Sequence, residues 1–310
     1  MRDRTAPVTL AALALFALAL AISPAAAQDA QQQPEVTFEA TELAPGLHMI
    51  EGVGGFAGGN VGLLTGEDGV ILVDDSMPPL TARLLAAVDR VAGAPVDFVL
   101  NTHVHGDHTG GNQMVGEKGA VIVAHDNVRA RMVEEGIPMG GGEPQPAPPE
   151  ALPVLTFGDA VTFHLNGQET HVFHVHQAHT DGDSVIHFRG ADVIHAGDVF
   201  FHGLFPFIDL DTGGSVDGFI AAQEKILELA GPDTRIIPGH GPLADRDDLA
   251  ASVAMLQEVR SRVQALIAEG KTVEEALEAN PVDGYEEWDW QFITSERMVR
   301  QMYRGLAAGD

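Results

Sequence analysis

The sequence predicts a mixed α/β fold in which two β-sheets pack face to face with helices outside. Three observations carry that expectation. Short apolar runs rich in Val, Ile and Leu alternate along the chain with stretches of helical spacing. A Gly- and Pro-rich stretch, Gly136 to Pro153, divides the chain into halves of similar size, and each half opens with strands and continues in strand–helix units. With 45% apolar and 20% charged residues among 310, the composition is that of a globular chain able to bury a large core.

The elements follow in order. Met1 to Arg4 carries two arginines, Leu10 to Ile22 is an uncharged apolar run, and Ala25-Ala26-Ala27 supplies the small residues a signal peptidase accepts. Residues 1–27 therefore read as a secretory signal, since the apolar run is shorter than a spanning helix needs and Ser23-Pro24 ends it. The expectation is export, to a bacterial periplasm. Residues 28–35 form a polar tether, and a domain with a C-terminal helical segment occupies residues 36–310. Leu47 to Glu51, Asn60 to Thr65 and Val70 to Asp74 are strands of a meander separated by glycines. Leu80 to Ala92 has Leu84, Leu85, Val88 and Val91 at helical spacing, and Val96 to Asn101 and Ala120 to Ala124 are strands before a helix at Asn127 to Glu135. Beyond the divider, Val161 to Leu165, His171 to His176, Ser184 to Phe188, Val193 to Ala196 and Arg235 to Ile237 read as strands. Val216 to Ala230 and Asp247 to Ala268 read as helices, and Met298, Met302 and Leu306 continue the helical spacing near the end.

Charge and cysteine usage exclude several functions. Lys and Arg number 17 against 45 Asp and Glu, a net charge of −28. A phosphate-backbone binder needs the opposite balance, so no nucleic-acid partner is expected. The absence of cysteine removes disulfides, iron–sulfur clusters, a thiol nucleophile and any thiolate zinc site. The acidic balance reads as a solvated surface. Neither a protein partner nor a membrane partner after signal cleavage is implied.

The segment that carries chemistry is His103-x-His105-x-Asp107-His108, directly after an apolar strand. A strand period of two would point His103 and His105 the same way, toward one metal. A tight turn at Gly106 would swing Asp107 and His108 toward a second position, about 3.5–4 Å away. Two metals need more ligands. His179, Asp198 and His240 each follow an apolar β run and have glycine nearby, the way a rigid scaffold presents loop residues at one sheet edge.

On these residues, in this order, the chain resembles the metallo-β-lactamase fold superfamily from about Leu47 to about Gly241. The resemblance implies a four-layer αββα sandwich with the metal site at one edge between the sheets. It implies that His103, His105 and His179 bind a first zinc, that Asp107, His108 and His240 bind a second, and that Asp198 bridges them. The donor set, imidazole and carboxylate without sulfur, favours two Zn²⁺ per chain, with iron or manganese compatible. Two zinc ions lower the pKa of a bridging water from about 15.7 toward about 7, and the implied activity is hydrolysis of a small-molecule substrate. A metal-bridging hydroxide would attack a cyclic amide or ester carbonyl, with Asp107 as the catalytic carboxylate.

A β-lactam is the best single substrate on this reading, because β-lactams act in the periplasm. The bridging Asp198 points instead toward lactone, thioester or phosphodiester hydrolysis. A glutathione thioester suits the chain less, because the C-terminal segment is rich in Glu where basic residues would be wanted. An iron-dependent sulfur oxygenase and a non-catalytic zinc-binding protein are the readings from other classes. Phe56, set among glycines at 54–59, is a candidate substrate contact on a mobile loop, or else a buried hairpin residue. His202, in the aromatic run after Asp198, is a candidate extra ligand or substrate contact. The remaining histidines read as structural or solvent-facing.

Overall fold

Seven strands in one sheet and five in another carry the architecture of the computed structural model, which describes residues 35–137, 144 and 146–308. The expected signal segment, the tether up to residue 34 and much of the Gly/Pro divider lie outside the described residues. The first sheet runs β1 (Thr37–Ala44), β2 (Leu47–Val53), β3 (Val61–Leu64), β4 (Ile71–Val73), β5 (Phe98–Leu100), β6 (Val121–His125) and β7 (Leu155–Phe157), with spatial order equal to chain order. β1 to β4 are antiparallel and β4 to β7 parallel. The second sheet holds β8 (Ala160–Leu165), β9 (Gln168–His174), β10 (Ser184–Phe188), β11 (Val193–Phe201) and β12 (Arg235–His240), in the order β12-β11-β10-β9-β8. Only its β11–β12 pair is parallel.

The central strands are apolar throughout because both their faces are covered. Leu64, Ile71, Val73, Leu100 and Val123 face inward onto Val172, Ile186, Phe188, Val193 and Ile237 of the second sheet. Their neighbours Leu63, Leu72, Val99 and Ile122 point outward, onto helices α1 (Thr81–Ala92) and α3 (Asn112–Glu117). That alternation is the strand period of two. On the other side, Val185, Ile194 and Ile236 pack on α5 (Val216–Leu229) and α6 (Arg246–Ala268). The layers are therefore helix, sheet, sheet, helix, as expected. Short helices α2 (Gly106–Thr109) and α4 (Asp126–Glu134) follow β5 and β6. The C-terminal helices α7 (Val273–Ala279) and α8 (Ser295–Ala307) add a further apolar cluster with α5 and α6, through Val216, Phe219, Met255, Val259, Met298 and Met302. No helix among the described residues is long and apolar enough to cross a membrane.

Helix ends follow from local chemistry. Asp245 accepts from the backbone of Asp247 and Asp248 while Asp248 reaches back to Asp245 N, a reciprocal box that starts α6. Thr272 and Glu275 form the same box at α7, and Ser215 and Thr294 cap α5 and α8.

Three expectations need correction. β1 and β7 are strands that alternation did not reveal: β1 is an edge strand with mostly exposed side chains, and β7 is only Leu155–Phe157. β11 does not stop at Ala196 but runs to Phe201, so Asp198 lies inside a strand. Register shifts on both sides of Gly197 mark an irregularity in its pairing with β12. Gly197 has a φ of 52° and packs so closely on Thr102 that a Cβ would sit 2.7 Å from that side chain. Finally, β5 ends at Leu100, so His103 and His105 converge from a loop, not by strand alternation.

Candidate metal centre

One edge of the sandwich collects the chain as it leaves β4, β5, β9, β11 and β12. The loop after β5 delivers His103 and His105, and α2 begins at Gly106 and carries Asp107 and His108 on its single turn. The loop after β9 delivers His179, the bulged part of β11 delivers Asp198, and the last residue of β12 is His240.

These seven residues meet. Three groups hold ligand atoms all within 4.8 Å of one another: His103, His105 and His179; Asp107, His108 and His240; and His103, His108 and Asp198. Asp198 stands between the first two. Its Oδ2 lies 3.9 Å from His103 Nε2, 3.6 Å from His179 Nε2 and 3.4 Å from His240 Nε2, while its Oδ1 lies 3.0 Å from His108 Nε2. Asp107 Oδ2 is 3.4 Å from His240 Nε2 and 3.6 Å from His108 Nε2. All are buried except Asp107, whose side chain keeps 24% of its surface open.

The hydrogen bonds around the imidazoles fix which nitrogen each turns inward. His105 Nε2 donates to Asp209 Oδ2 at 2.9 Å, and His179 Nδ1 donates to Phe207 O at 2.8 Å. His108 Nδ1 donates to Asp74 Oδ2 at 2.7 Å. His103 Nδ1 donates to Thr102 Oγ1 at 3.0 Å, and that hydroxyl donates to Asp74 Oδ2 at 2.7 Å. These assignments follow the hydrogen-bond network. They leave His105 Nδ1 and His179 Nε2 as two lone pairs facing each other at 2.9 Å. His108 Nε2 and His240 Nε2 face each other at 3.4 Å. Two nitrogens bound tetrahedrally to one zinc at about 2.0–2.1 Å stand about 3.3 Å apart. The buried His103 Nε2 has no hydrogen-bond partner. The residues present thus fit a pair of divalent cations: at the first position the inward nitrogens are orphaned or face each other as lone pairs, and at the second two carboxylates and two imidazoles converge on one point.

The electrostatics divide the site. Burial, reinforced by His108, holds His103 well below the ordinary imidazole range, and burial with His105 takes His179 to about 4. At the first position His103 and His179 are therefore neutral donors. At the second, burial is outweighed by carboxylates: Asp198 and Asp107 lift His240 to about 9, and Asp198, Asp107 and Asp74 raise His108. Burial would raise Asp107, but His108 and His240 bring it down to about 2.

Residues 58–60 bind both metal loops together. Gly59 N donates to Asp107 O and Asn60 N to Gly239 O, at 3.1 and 2.8 Å. Asn60 Nδ2 donates to Pro238 O and Gly241 O on either side of His240. Gly59 lies so close to His108 that a Cβ would fall 2.0 Å from the ring.

Of the sequence candidates beyond the ligands, Phe56 is 57% exposed and stacks on His240 at 5.8 Å, which overturns the buried-hairpin alternative. His202 is not brought into the cluster. Its Nδ1 lies 3.0 Å from Pro242 O and its Nε2 3.5 Å from Asp248 Oδ1, so one nitrogen faces the loop before α6 and the other the first turn of that helix. Among the other histidines, His174 stacks on His125 at 3.8 Å and donates to Asp183 O, and His195 lies fully buried under the site.

Two residues that matter went unread in the sequence. Asp74 orients His108 directly and His103 through Thr102, and Asp209 orients His105. A signal existed for the first: Asp74-Asp75 is a pair of carboxylates directly after an apolar strand. Asp209 had none, because it reaches His105 across 104 residues.

Comparison with known proteins agrees with this geometry. Residues 54–240 match the family model of the metallo-beta-lactamase superfamily. Over 197 residues the chain is 28% identical to a hydroxyacylglutathione hydrolase of Polaromonas sp. (strain JS666), covering 59% of this chain and 66% of that one. Over 200 residues it is 24% identical to the metallo-beta-lactamase type 2 of Bacillus cereus, covering 63% and 72% of the two chains. In structure it is similar to a metallo-beta-lactamase from Pontibacter korlensis, with a TM-score of 0.58 at 19% identity over 71% of this chain and 99% of the other.

Proposed function

The chain belongs to the metallo-beta-lactamase superfamily of metal-dependent hydrolases, and from that premise we propose that it is an exported dinuclear zinc hydrolase that opens a cyclic amide or ester, a β-lactam first. The observation that carries the two-metal reading is the placement of Asp198, whose two oxygens face the histidines of both positions. His103, His105 and His179 would hold one zinc, Asp107, His108 and His240 the other, and Asp198 both. When bound, the ions would supply Lewis acidity and bring a shared water's pKa from about 15.7 toward about 7.

The protein residues do the rest. Asp107 is anionic at neutral pH and is the carboxylate of the set that remains partly open, so it can orient the attacking water by accepting a hydrogen bond from it. Asp74, Thr102, Asp209 and the Phe207 carbonyl hold the imidazoles in the tautomers that present lone pairs inward. Phe56, exposed beside His240, is placed to cover an apolar part of the substrate.

The test uses the chain from Gln28 purified with zinc. We expect two zinc ions per chain, hydrolysis of nitrocefin or a carbapenem, and a loss of about a hundredfold or more in Asp107→Ala. Two bound zinc ions without β-lactam turnover would retire the β-lactam in favour of lactones, thioesters and phosphodiesters, assayed next. One iron per chain with little zinc would replace the hydrolase by the oxygenase reading. Export is checked by fractionating cells that express the full chain.

A further inference from the structure

We propose that residues 285–293, which lie beyond the stretch matched by the superfamily model, form a specificity wall that selects a substrate bearing a neutral, planar apolar group. The inference rests on the hydrolase reading above for what the substrate undergoes, but not for how it is held. A continuous chain of ring contacts runs from one metal position to the other. Phe56 stacks on His240 at 5.8 Å, His240 meets Trp290 at 6.1 Å, Trp290 meets Phe292 at 5.6 Å, Phe292 meets Phe207 at 5.5 Å, and Phe207 stacks on His105 at 5.9 Å. Phe207, Trp290 and Phe292 pack on one side against the C-terminal apolar cluster but stay only half-buried, and Phe56 is mostly exposed, so each ring keeps open surface.

The wall is fixed in place and offers no polar handle. Trp290 Nε1 donates to Phe205 O at 2.9 Å, Phe205 N to Trp288 O at 2.8 Å, and Trp290 N to Ile293 O at 3.2 Å, with Ile293 buried. With its N–H spent on the protein, the Trp290 indole presents only π surface. Arg297 lies over Phe292, 4.5 Å from the ring centroid, and donates to Phe292 O, so its charge is turned to the backbone at the far end of the chain of rings. At the other end of the segment Arg262 lies over Tyr285, 5.8 Å from its ring centroid, and is likewise bonded to backbone carbonyls, those of Pro281 and Asp283. A surface of rings with no free donor suits an aryl or flat alicyclic ester or amide.

Chroman, a neutral aryl ether without a hydrolysable bond, tests the wall apart from the chemistry. The chain has two tryptophans, Trp288 and Trp290, so Trp288→Phe leaves Trp290 as the sole indole reporter. In that protein, chroman should quench the fluorescence saturably and glutathione should not. Phe292→Ala should weaken chroman by about tenfold, and Phe292→Leu, the gentler change, by less. In turnover, the preference of the zinc-loaded enzyme for 3,4-dihydrocoumarin over γ-butyrolactone should fall about tenfold in Trp290→Ala. Absence of saturable quenching, or S-lactoylglutathione binding as tightly as chroman, would overturn the wall. Saturable chroman binding with no hydrolysis of any lactone, amide or thioester would leave the wall standing and overturn the hydrolase reading.

Discussion

Asp74 is the residue on which both metal positions converge. It sits buried with a φ of 62°, accepts from Thr102 N and Oγ1, and holds His108 Nδ1 at 2.7 Å. A partner that fixes the tautomer of a ligand imidazole contributes about 10–100-fold in metal affinity. Asp74→Ala should therefore weaken zinc by about that factor at both positions, as read by competition with a chromophoric chelator; loss at one position alone would show that the route through Thr102 to His103 carries nothing. His195 makes a pH prediction. It is fully buried, its Nδ1 accepts from Gly197 N at 3.2 Å, and burial lowers its imidazole to about 4. Between about 6.5 and about 4 the unfolded chain takes up a proton here that the folded chain refuses, so stability is full above that window and falls as pH drops through it. At pH 5 the loss from this group is about 2 kcal/mol. Urea unfolding at pH 7.5 and 5.0 should show wild type losing about that much more than His195→Gln, and equal losses would refute the assignment.

At the scale of elements, the outer helices and the metal edge are separable. The α6 cap rests on Asp245, which accepts from Asp247 N at 2.8 Å and Asp248 N at 3.0 Å. The loop between β12 and α6 is anchored before that cap by the paired bonds between Ile236 and Ala244, at 2.8 and 2.9 Å. Asp245→Ala should therefore lower stability by about 1 kcal/mol while zinc affinity stays at the wild-type value. A matching fall in zinc affinity would mean that the cap, not the bridge, positions His240. β11 is the element where local rules and tertiary packing part company. Its apolar pattern stops at Ala196, yet pairing resumes beyond Gly197 because the backbone must pass Thr102 at close range and turn Asp198 toward the histidines.

At the scale of the molecule, the proposed metals would also be cross-links. His103, His105, Asp107 and His108 come from the seven-stranded sheet, whereas His179, Asp198 and His240 come from the five-stranded one. Each proposed metal therefore ties the two sheets, and because the unfolded chain has no such convergence, metal binding adds to folding stability. With free zinc about a hundredfold above its Kd, the gain is about 2.7 kcal/mol for each site filled. Chelation should lower the melting temperature, and titrating zinc back should raise it in proportion to the logarithm of its concentration. A melting temperature indifferent to zinc would contradict ligation across the sheets.

The layered fold and all seven clustered residues were legible in the sequence, because strands buried on both faces leave unbroken apolar runs and because H-x-H-x-D-H concentrates ionisable groups that need a common partner. The orientation of His103 and His105 was legible only in outcome: they converge, but from a loop beyond β5. Asp74 left a faint mark, as a carboxylate pair after a strand. Asp209, the Asn60 clamp on the His240 loop and the approach of Trp290 and Phe292 to the ligand histidines left none. Those contacts join segments from about fifty to well over a hundred residues apart, and side-chain periodicity reports only which face of its own element a residue occupies. Composition and local pattern determined the layers, the seven His and Asp residues that cluster and the acidic balance of this protein. Which imidazole nitrogen faces the centre of the cluster, where Asp198 points and which rings stand beside the histidines were decided by the packing of one sheet edge against the other, since only there do those groups meet.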